Sequence, residues 1–566
     1  LEIGVRHSVL KGVGVVLALI VVVTARPGTA QQRELTTSDR LAILYAPQLD
    51  FTQSGDPFVR VGLMEGRDSI EFTPSRRIRV MPQGDEGAEV VLPADHTYRV
   101  EIREGEAGGY RHWVVVEALP VKQRDTVDGI EAQWADRGFE PNTFQVGGLF
   151  GIQGQVFDSR ALLVGVGGTE SHREAQKLRS KLERRYGIDG RVHSELTQYP
   201  GGELVLTGSE VDVEIHHRDV LWISAVSEAQ GEVEYTVPGV NKSYNKGRET
   251  RTYGGRLIFS PDRDGKLALI NKLGVERLLK GVVPSEIYTS APKAALRAQA
   301  VAARNTVFGA IGVRNLADPY MVRSDVYDQV YKGLGAEHAR TSRAVEATRG
   351  QVMFYDQRIV EAVYSANAGG FTEDNEEVWN AEPRPYLRGG PDAPDKRVPE
   401  PFQDGIDASE VRDFLESDFR AWATQSPLGS TELYRWEERV SAKVPLGWLD
   451  DHGHSLEAIT DAEVLERGVS GRIVRLELTG RGGTSTVVER ELNVRRLFGG
   501  LKSGLFVMDV SRRKDGSIES FHFQGAGYGH GVGMCQTGAM GMAASGKGHR
   551  TILKHYYDGI DIQTLY

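Results

Sequence analysis

The chain changes its hydrophobic rhythm several times. Between residues 31 and 108 apolar and polar positions alternate in short runs, "FVRVGLM", "SIEFTP", "RIRVMP", "EVVLP" and "TYRVEI", separated by Gly, Pro and Asp. Period-two alternation broken by turn residues predicts short strands and a β-rich region. From 109 to 206 the rhythm mixes. "HWVVVEAL", "NTFQVGG", "RALLVGVGG" and "GRVHSEL" read as strands, while "RDTVDGIEAQWADRGF" and "ESHREAQKLRSKLERRYGI" space their apolar residues as helices do. In the second of these, Ala175, Leu178, Leu182 and Tyr186 fall on one face. The predicted order is βαββαβ, with helices on one side of a sheet. Residues 207–275 return to β patterning, and helix and strand mix from 276 onward. The fold class is α+β with several domains.

The segment "APKAALRAQAVAARNTVFGAIG" (291–312) gives the clearest helix. Ser290 suits its cap, Pro292 its first turn, and Gly309 and Gly312 its end. Leu296, Ala300, Ala303 and Val307 predict an apolar face of mostly small side chains. Arg297 and Arg304 predict a second face, with the two side chains about 10 Å apart. Residues 382–401 are dense in Pro, Gly and Asp and read as a long loop.

Composition narrows the possibilities. A chain of 566 residues exceeds one ordinary domain. A net charge of −10 argues against nucleic acid as a main partner. The single cysteine, Cys535, precludes an intrachain disulfide and a Cys-rich zinc site. Near the start, Arg6, His7 and Lys11 precede an apolar run from Gly12 to Val23 and the small residues Gly28-Thr29-Ala30. This pattern predicts a secretory signal over residues 1–30, cleaved after Ala30. The run is shorter than the about 20 residues of a spanning helix, but uncleaved it would be a membrane anchor. The expectation is an exported protein, in the periplasm or at the cell wall.

Three stretches could carry chemistry. "LLKGVVPSEIYTS" (278–290) holds one carboxylate, Glu286, among Val282, Val283 and Ile287. Apolar neighbours disfavour the charged form and suit an acid catalyst. "FQGAGYGHGVGMCQTGAMGMAASG" (523–546) lacks the Lys-Ser/Thr of a phosphate loop. Its alternating glycines permit close backbone approach around His530 and Gln536, or simply a packed turn with a buried histidine. "AVYSANAGGFTEDNEEVWNAEPRPYLR" (362–388) offers Thr372, Glu373, Asp374, Trp379 and Tyr386. Aromatic and polar groups together suit a sugar-binding groove, and equally an ordinary solvated loop.

Taken in order, these three stretches resemble the signature blocks of the SpoIID/LytB family over Leu278 to Ile562. The resemblance implies a lytic transglycosylase that cleaves the MurNAc–GlcNAc β-1,4 bond of peptide-free peptidoglycan glycan strands. It leaves 1,6-anhydro-MurNAc ends and needs no cofactor. The implied catalytic acid is Glu286, and the implied substrate-binding residues are Arg304, Ser365, Tyr386, Arg388, His530 and Gln536. Three positions depart from the family pattern. Arg388 stands where Lys is usual, which alters hydrogen-bond geometry. Tyr364 stands where His is usual, and the cysteines that accompany that His in some members are absent, so no metal is expected. Cys535 replaces a Ser. The βαββαβ stretch resembles the SPOR module, which binds peptide-free glycan. The implied organisation is a signal (1–30), a β-rich region (31–108) that is separate or part of the catalytic domain, a SPOR-like module (109–206) and a catalytic domain (207–566).

Rival readings follow from the same residues. A transglycosylase uses one acid/base. A hydrolase generally needs a second carboxylate about 5–9 Å away, and Glu361, Glu373 and Asp374 are the candidates. Cys535 and His530 could instead form a Cys/His peptidoglycan amidase. The LytB branch implies a non-catalytic role, with glycan as ligand and a cell-wall amidase as partner.

Overall fold

The computed structural model describes residues 37–566 except 47, 82–88, 153–154, 187–189, 228–230, 244–245, 380, 395–397 and 430. The signal expected over residues 1–30 lies outside the described residues. Among the described residues no helix is long and apolar enough to cross a membrane.

The alternating runs on either side of the βαββαβ stretch interleave into the same sheets. A seven-stranded sheet runs Val322–Arg323, Phe58–Arg67, Leu267–Gly274, Arg256–Pro261, Leu221–Ala225, Ile78–Met81 and Val90–Leu92. A six-stranded sheet runs Glu214–Arg218, Gly201–Gly208, Tyr98–Glu106, Ser69–Pro74, Tyr235–Asn241 and Arg248–Tyr253. Phe58–Arg67 lies antiparallel to Leu267–Gly274, with Val59 opposite Leu273. The N-terminal β region therefore shares its sheets with residues 201–274. Their inward positions, among them Val61, Phe72, Tyr98, Leu257 and Leu269, join one core.

The stretch between them is a four-stranded antiparallel sheet in the order Arg191–Gln198, Gly109–Pro120, Ala161–Thr169, Pro141–Val146, with helices Val127–Asp136 and His172–Tyr186. The period-two rule sorts its residues: Val114, Val116, Leu162 and Val164 pack with Trp134 and Leu182 of the helices. Val115 and Leu163 face the other way, toward Leu316. The unit ends at Gln198, earlier than the sequence boundary of 206, because Gly201–Gly208 pairs with Tyr98–Glu106 in the six-stranded sheet.

Two helices follow the sheets. In Val275–Glu286, Val275, Leu278, Leu279, Val282 and Val283 form one buried stripe. The next helix, Lys293–Ala310, departs from the expected two-faced pattern: it is buried on nearly every side, Arg304 included. Its alanines allow helices and strand Gln351–Tyr355 to lie close around it, so its polar side chains must find partners inside. Asn305 donates to the carbonyls of Met353 and Val360 at 2.9 Å and accepts from Met353 at 2.8 Å. Thr306 donates to Ala362 at 2.6 Å. Arg304 grips both carboxylate oxygens of Glu276 at 2.8 and 2.7 Å, and the Tyr566 hydroxyl donates to the same carboxylate at 2.7 Å. Burial opposes charge on Glu276, but Arg304, Tyr566 and the Gly350 amide hold its carboxyl below the usual carboxylate range.

Residues 435–526 form two further three-stranded sheets, Arg435–Ser441/Ile518–Ala526/Phe506–Arg512 and Ile459–Arg467/Ile473–Gly480/Ser485–Glu489. They have their own core around Leu476, Phe498, Phe506 and Phe523.

A buried ion pair resists loss of one partner more than replacement of both. Glu276→Ala is expected to cost about 3–5 kcal/mol in urea denaturation, because it strands the Arg304 charge. The Glu276→Leu, Arg304→Met double variant is expected to lose far less.

Candidate active site

The Val275–Glu286 helix ends at Glu286, where Ile287 turns extended with its amide still bonded to Val283. This leaves the Glu286 side chain at the junction between the two helices. One carboxylate oxygen accepts the Val330 amide at 2.9 Å. Burial pushes the Glu286 carboxyl up to about 7, although the Val330 amide and the Lys332 charge favour ionisation. The negative end of the helix dipole at its C-terminus adds to burial in disfavouring the anion.

Gln536 closes the junction from the far end of the sequence. Its side-chain amide donates to the Glu286 backbone carbonyl at 2.8 Å and to the Gln299 side-chain oxygen at 3.1 Å. The Gln299 Nε2 group is buried with no hydrogen-bond partner among the described residues. Gln536 opens helix Gln536–Ala544. The strand pair before that helix, Tyr364–Ser365 parallel to Met534–Cys535, joins the second and third sequence blocks. Gly531 and Gly533 sit at φ +81 and +67, and a Cβ there would lie 2.3 Å from Arg472 and from the Val363 carbonyl. Only glycine fits these positions.

The other predicted residues fall in different places. His530 accepts the Val532 amide at Nδ1 and donates from Nε2 to the Tyr364 carbonyl, both at 3.0 Å. Burial pushes it down to about 3, so it stays neutral and fixes the loop. Its ring lies 4.8 Å from Trp379. Ser365 is buried, its hydroxyl with no hydrogen-bond partner among the described residues. In the structure Arg304, Tyr386 and Arg388 are each bonded to other protein groups. Arg304 is sealed against Glu276. The Tyr386 hydroxyl accepts the Glu361 amide at 3.3 Å, with its ring against Tyr355. Arg388 binds Glu376 and Asn375 and pairs with Asp374 at 3.3 Å. Each side chain is already used in holding the fold.

The possible second carboxylates are likewise engaged. Glu361 pairs with Arg314. Glu373 is buried, accepts from Ser470 at 2.6 Å and lies beside Arg472. Asp374 accepts the Gly389 amide at 2.6 Å. The Cys/His pairing does not form. The Cys535 sulfur accepts the amides of Ala368 and Gly538 at 3.2 Å, capping its helix, and burial pushes the thiol well up. Among the described residues no group of three or more His, Cys, Asp or Glu is placed to hold a metal ion.

Sequence reasoning missed Gln299, Gln329 and the Val330 amide. Gln299 is a polar residue in a small-residue helix, a weak signal; "SDVYDQVYKG" carries none. It also missed the exposed rings of Tyr288, Tyr327 and Tyr528, which lie on the segments bearing Glu286, Val330 and His530. A cavity of about 260 Å³ opens elsewhere, between Arg191–Ser194 and Val313–Asp318, and its lining includes none of the predicted site residues.

Residues 263–355 match the family described as Stage II sporulation protein, and residues 373–533 match a domain of unknown function. An uncharacterized protein of Brachyspira hyodysenteriae is 30% identical over 310 residues, 55% of this chain and 72% of that protein. The amidase enhancer of Bacillus subtilis is 28% identical over 291 residues, 50% of this chain and 39% of that protein. Stage II sporulation protein D of Bacillus amyloliquefaciens is 27% identical over 307 residues, 52% of this chain and 75% of that protein.

Glu286 titrates at about 7 in the fold against an ordinary 4.5, so folding tightens its hold on a proton. Its stability contribution is full below pH 4.5 and is lost as pH rises through about 7. Glu286→Gln is therefore expected to be more stable than the parent at about pH 8, by on the order of 2 kcal/mol. That advantage should vanish at acidic pH, as read by denaturation across a pH series.

Proposed function

The chain belongs to the SpoIID family, and on that premise we propose that it is a peptidoglycan lytic transglycosylase acting on peptide-free glycan strands. The observation that carries the reading is the half-buried carboxyl of Glu286, pushed up to about 7 at the junction of the two helices. Glu373 is also pushed up to about 7, but it is fully buried and bonded to Ser470 beside Arg472, while Glu361 pairs with Arg314 and Asp374 accepts the Gly389 amide. One acid is what this reaction requires. Protonated Glu286 donates to the glycosidic oxygen as the bond from the MurNAc anomeric carbon breaks. The resulting carboxylate takes the proton of the same sugar's 6-hydroxyl, whose oxygen bonds to the anomeric carbon. Glu286 ends protonated, and no water is consumed.

The surroundings support a sugar ligand. Exposed Tyr288, Tyr327 and Tyr528 offer faces for pyranose rings. Gln299 Nε2 and the Ser365 hydroxyl are polar groups with no hydrogen-bond partner among the described residues, suited to sugar hydroxyls. Gln536 and His530 act on this reading by fixing the backbone around the acid. The βαββαβ unit would hold glycan as a SPOR-like module does. Work on the wall places the protein outside the cytoplasm. A second reading is favoured by the relative named amidase enhancer: the same cleft binds glycan without cutting it, and the protein acts on a wall amidase.

Mass spectrometry of products from amidase-stripped glycan strands separates the readings. Anhydro-MurNAc ends are expected, lost in Glu286→Gln. Reducing ends would point to a hydrolase, and binding without product to the enhancer role. Where protonation of the leaving oxygen limits the rate, cleavage is expected to fall as pH rises through about 7.

A further inference from the structure

Among the described residues the Glu286 carboxylate accepts a hydrogen bond from the Val330 backbone amide. A backbone donor has no side chain of its own to aim it, so its direction depends on what holds the loop. Val330 lies just beyond the short strand Val322–Arg323, on an irregular stretch that follows exposed Val326 and Tyr327. Yet residues 329–331 are buried.

Gln329 is the anchor of that turn inward. Its Nε2 donates to the Ala303 carbonyl of the central helix at 3.0 Å. Its Oε1 accepts the Tyr364 hydroxyl at 3.3 Å. The side chain is only 4% exposed, and each end of the buried amide has a partner. On the other side Tyr331 is held by its own bonds, its carbonyl accepting Arg251 at 3.1 Å and its hydroxyl donating to Asn271 at 3.3 Å. Val330 is thus stretched between two fixed neighbours. Gln329 is the one tied to the central helix and to the strand that also receives His530. Tyr364 stands where the family pattern has His, and its hydroxyl is what reaches Gln329.

We propose that Gln329 is a positioning residue for Glu286: clamped between Ala303 and Tyr364, it aims the Val330 amide at the carboxylate without touching substrate. The inference rests on the transglycosylase reading for its consequence in catalysis, but not for the geometry it concerns. The groups facing Glu286 are few. Lys332 on the same loop is the charge that acts on it; Gln299 of the central helix and Gln536 of the C-terminal block bond around it and do not titrate. An amide donated to a carboxylate stabilises the ionised form. Misaiming it removes that support while Glu286 stays buried, so the carboxyl should hold its proton to higher pH. Looser packing alone predicts the opposite sign, because water entering the junction would bring the carboxyl down toward its ordinary range.

Infrared difference spectroscopy of the full chain, with Glu286→Gln as the blank, reads the protonated carboxyl of Glu286 directly. Gln329→Met keeps the length and removes both hydrogen bonds. Its titration midpoint is expected to rise by about one pH unit over the parent. Tyr364→Phe, which removes one hydroxyl, is expected to give a smaller rise and decides the matter if Gln329→Met does not fold. The falling limb of the cleavage-rate profile should move upward in step. A midpoint that stays in place or falls overturns the positioning role. A midpoint that rises in a protein yielding no anhydro product upholds it and overturns the transglycosylase reading instead.

Discussion

A guanidinium with no exposed surface must meet its charge and its donors within the protein. Arg304 does so by gripping Glu276, and this one requirement fixes how the two central helices cross. Glu276 lies in the first turn of the helix that ends at Glu286, and Arg304 lies on the helix that presents Gln299 to the same junction. The ion pair and the candidate acid thus share both of their supporting elements. A rotation of either helix that relieved the acid's burial would expose or unpair the arginine, which is far more costly. The two helices that meet at Glu286 are thus pinned together by a buried charge pair.

The same logic recurs between the inserted sheets and the glycine-rich blocks. Arg472 reaches from the 468–472 turn to donate to the carbonyls of Ala368 and Phe371, at 2.9 and 3.0 Å, on either side of Gly369-Gly370. It occupies the space that a side chain at residue 531 would need, and the Glu373 amide donates to the Gly531 carbonyl at 3.1 Å. The insertion is therefore packed into the loops that carry Ser365 and His530. Its own core lies apart, but one of its arginines is part of their frame.

What was legible in the sequence followed local rules. Alternation in "HWVVV" separates Val114 and Val116 from Val115, so the βαββαβ order could be read from periodicity. The helix that ends in "VVPSE" was not legible, because Pro284 inside it makes the stretch look like a turn. What else escaped was non-local. Strand Phe58–Arg67 pairs across the chain with Leu267–Gly274, and nothing in either run names its partner. An arginine in an alanine-rich helix reads as a polar face unless its partner, on another helix, is known. Tyr386 and Arg388 look like ligand contacts by type, but their hydrogen bonds are spent on Glu361, Asn375 and Glu376. Gln329 sits in a stretch with no motif, and its role lies entirely in where the fold carries it.

The bond from Gln536 to the carbonyl of Glu286 spans 250 residues of chain. Contacts this distant close late, because the entropy of the intervening loop must be overcome before they repay it. The closed junction therefore needs both the helix that ends at Glu286 and the glycine-rich block, and a chain that stops short of Gln536 lacks the side chain that ties Glu286 to Gln299.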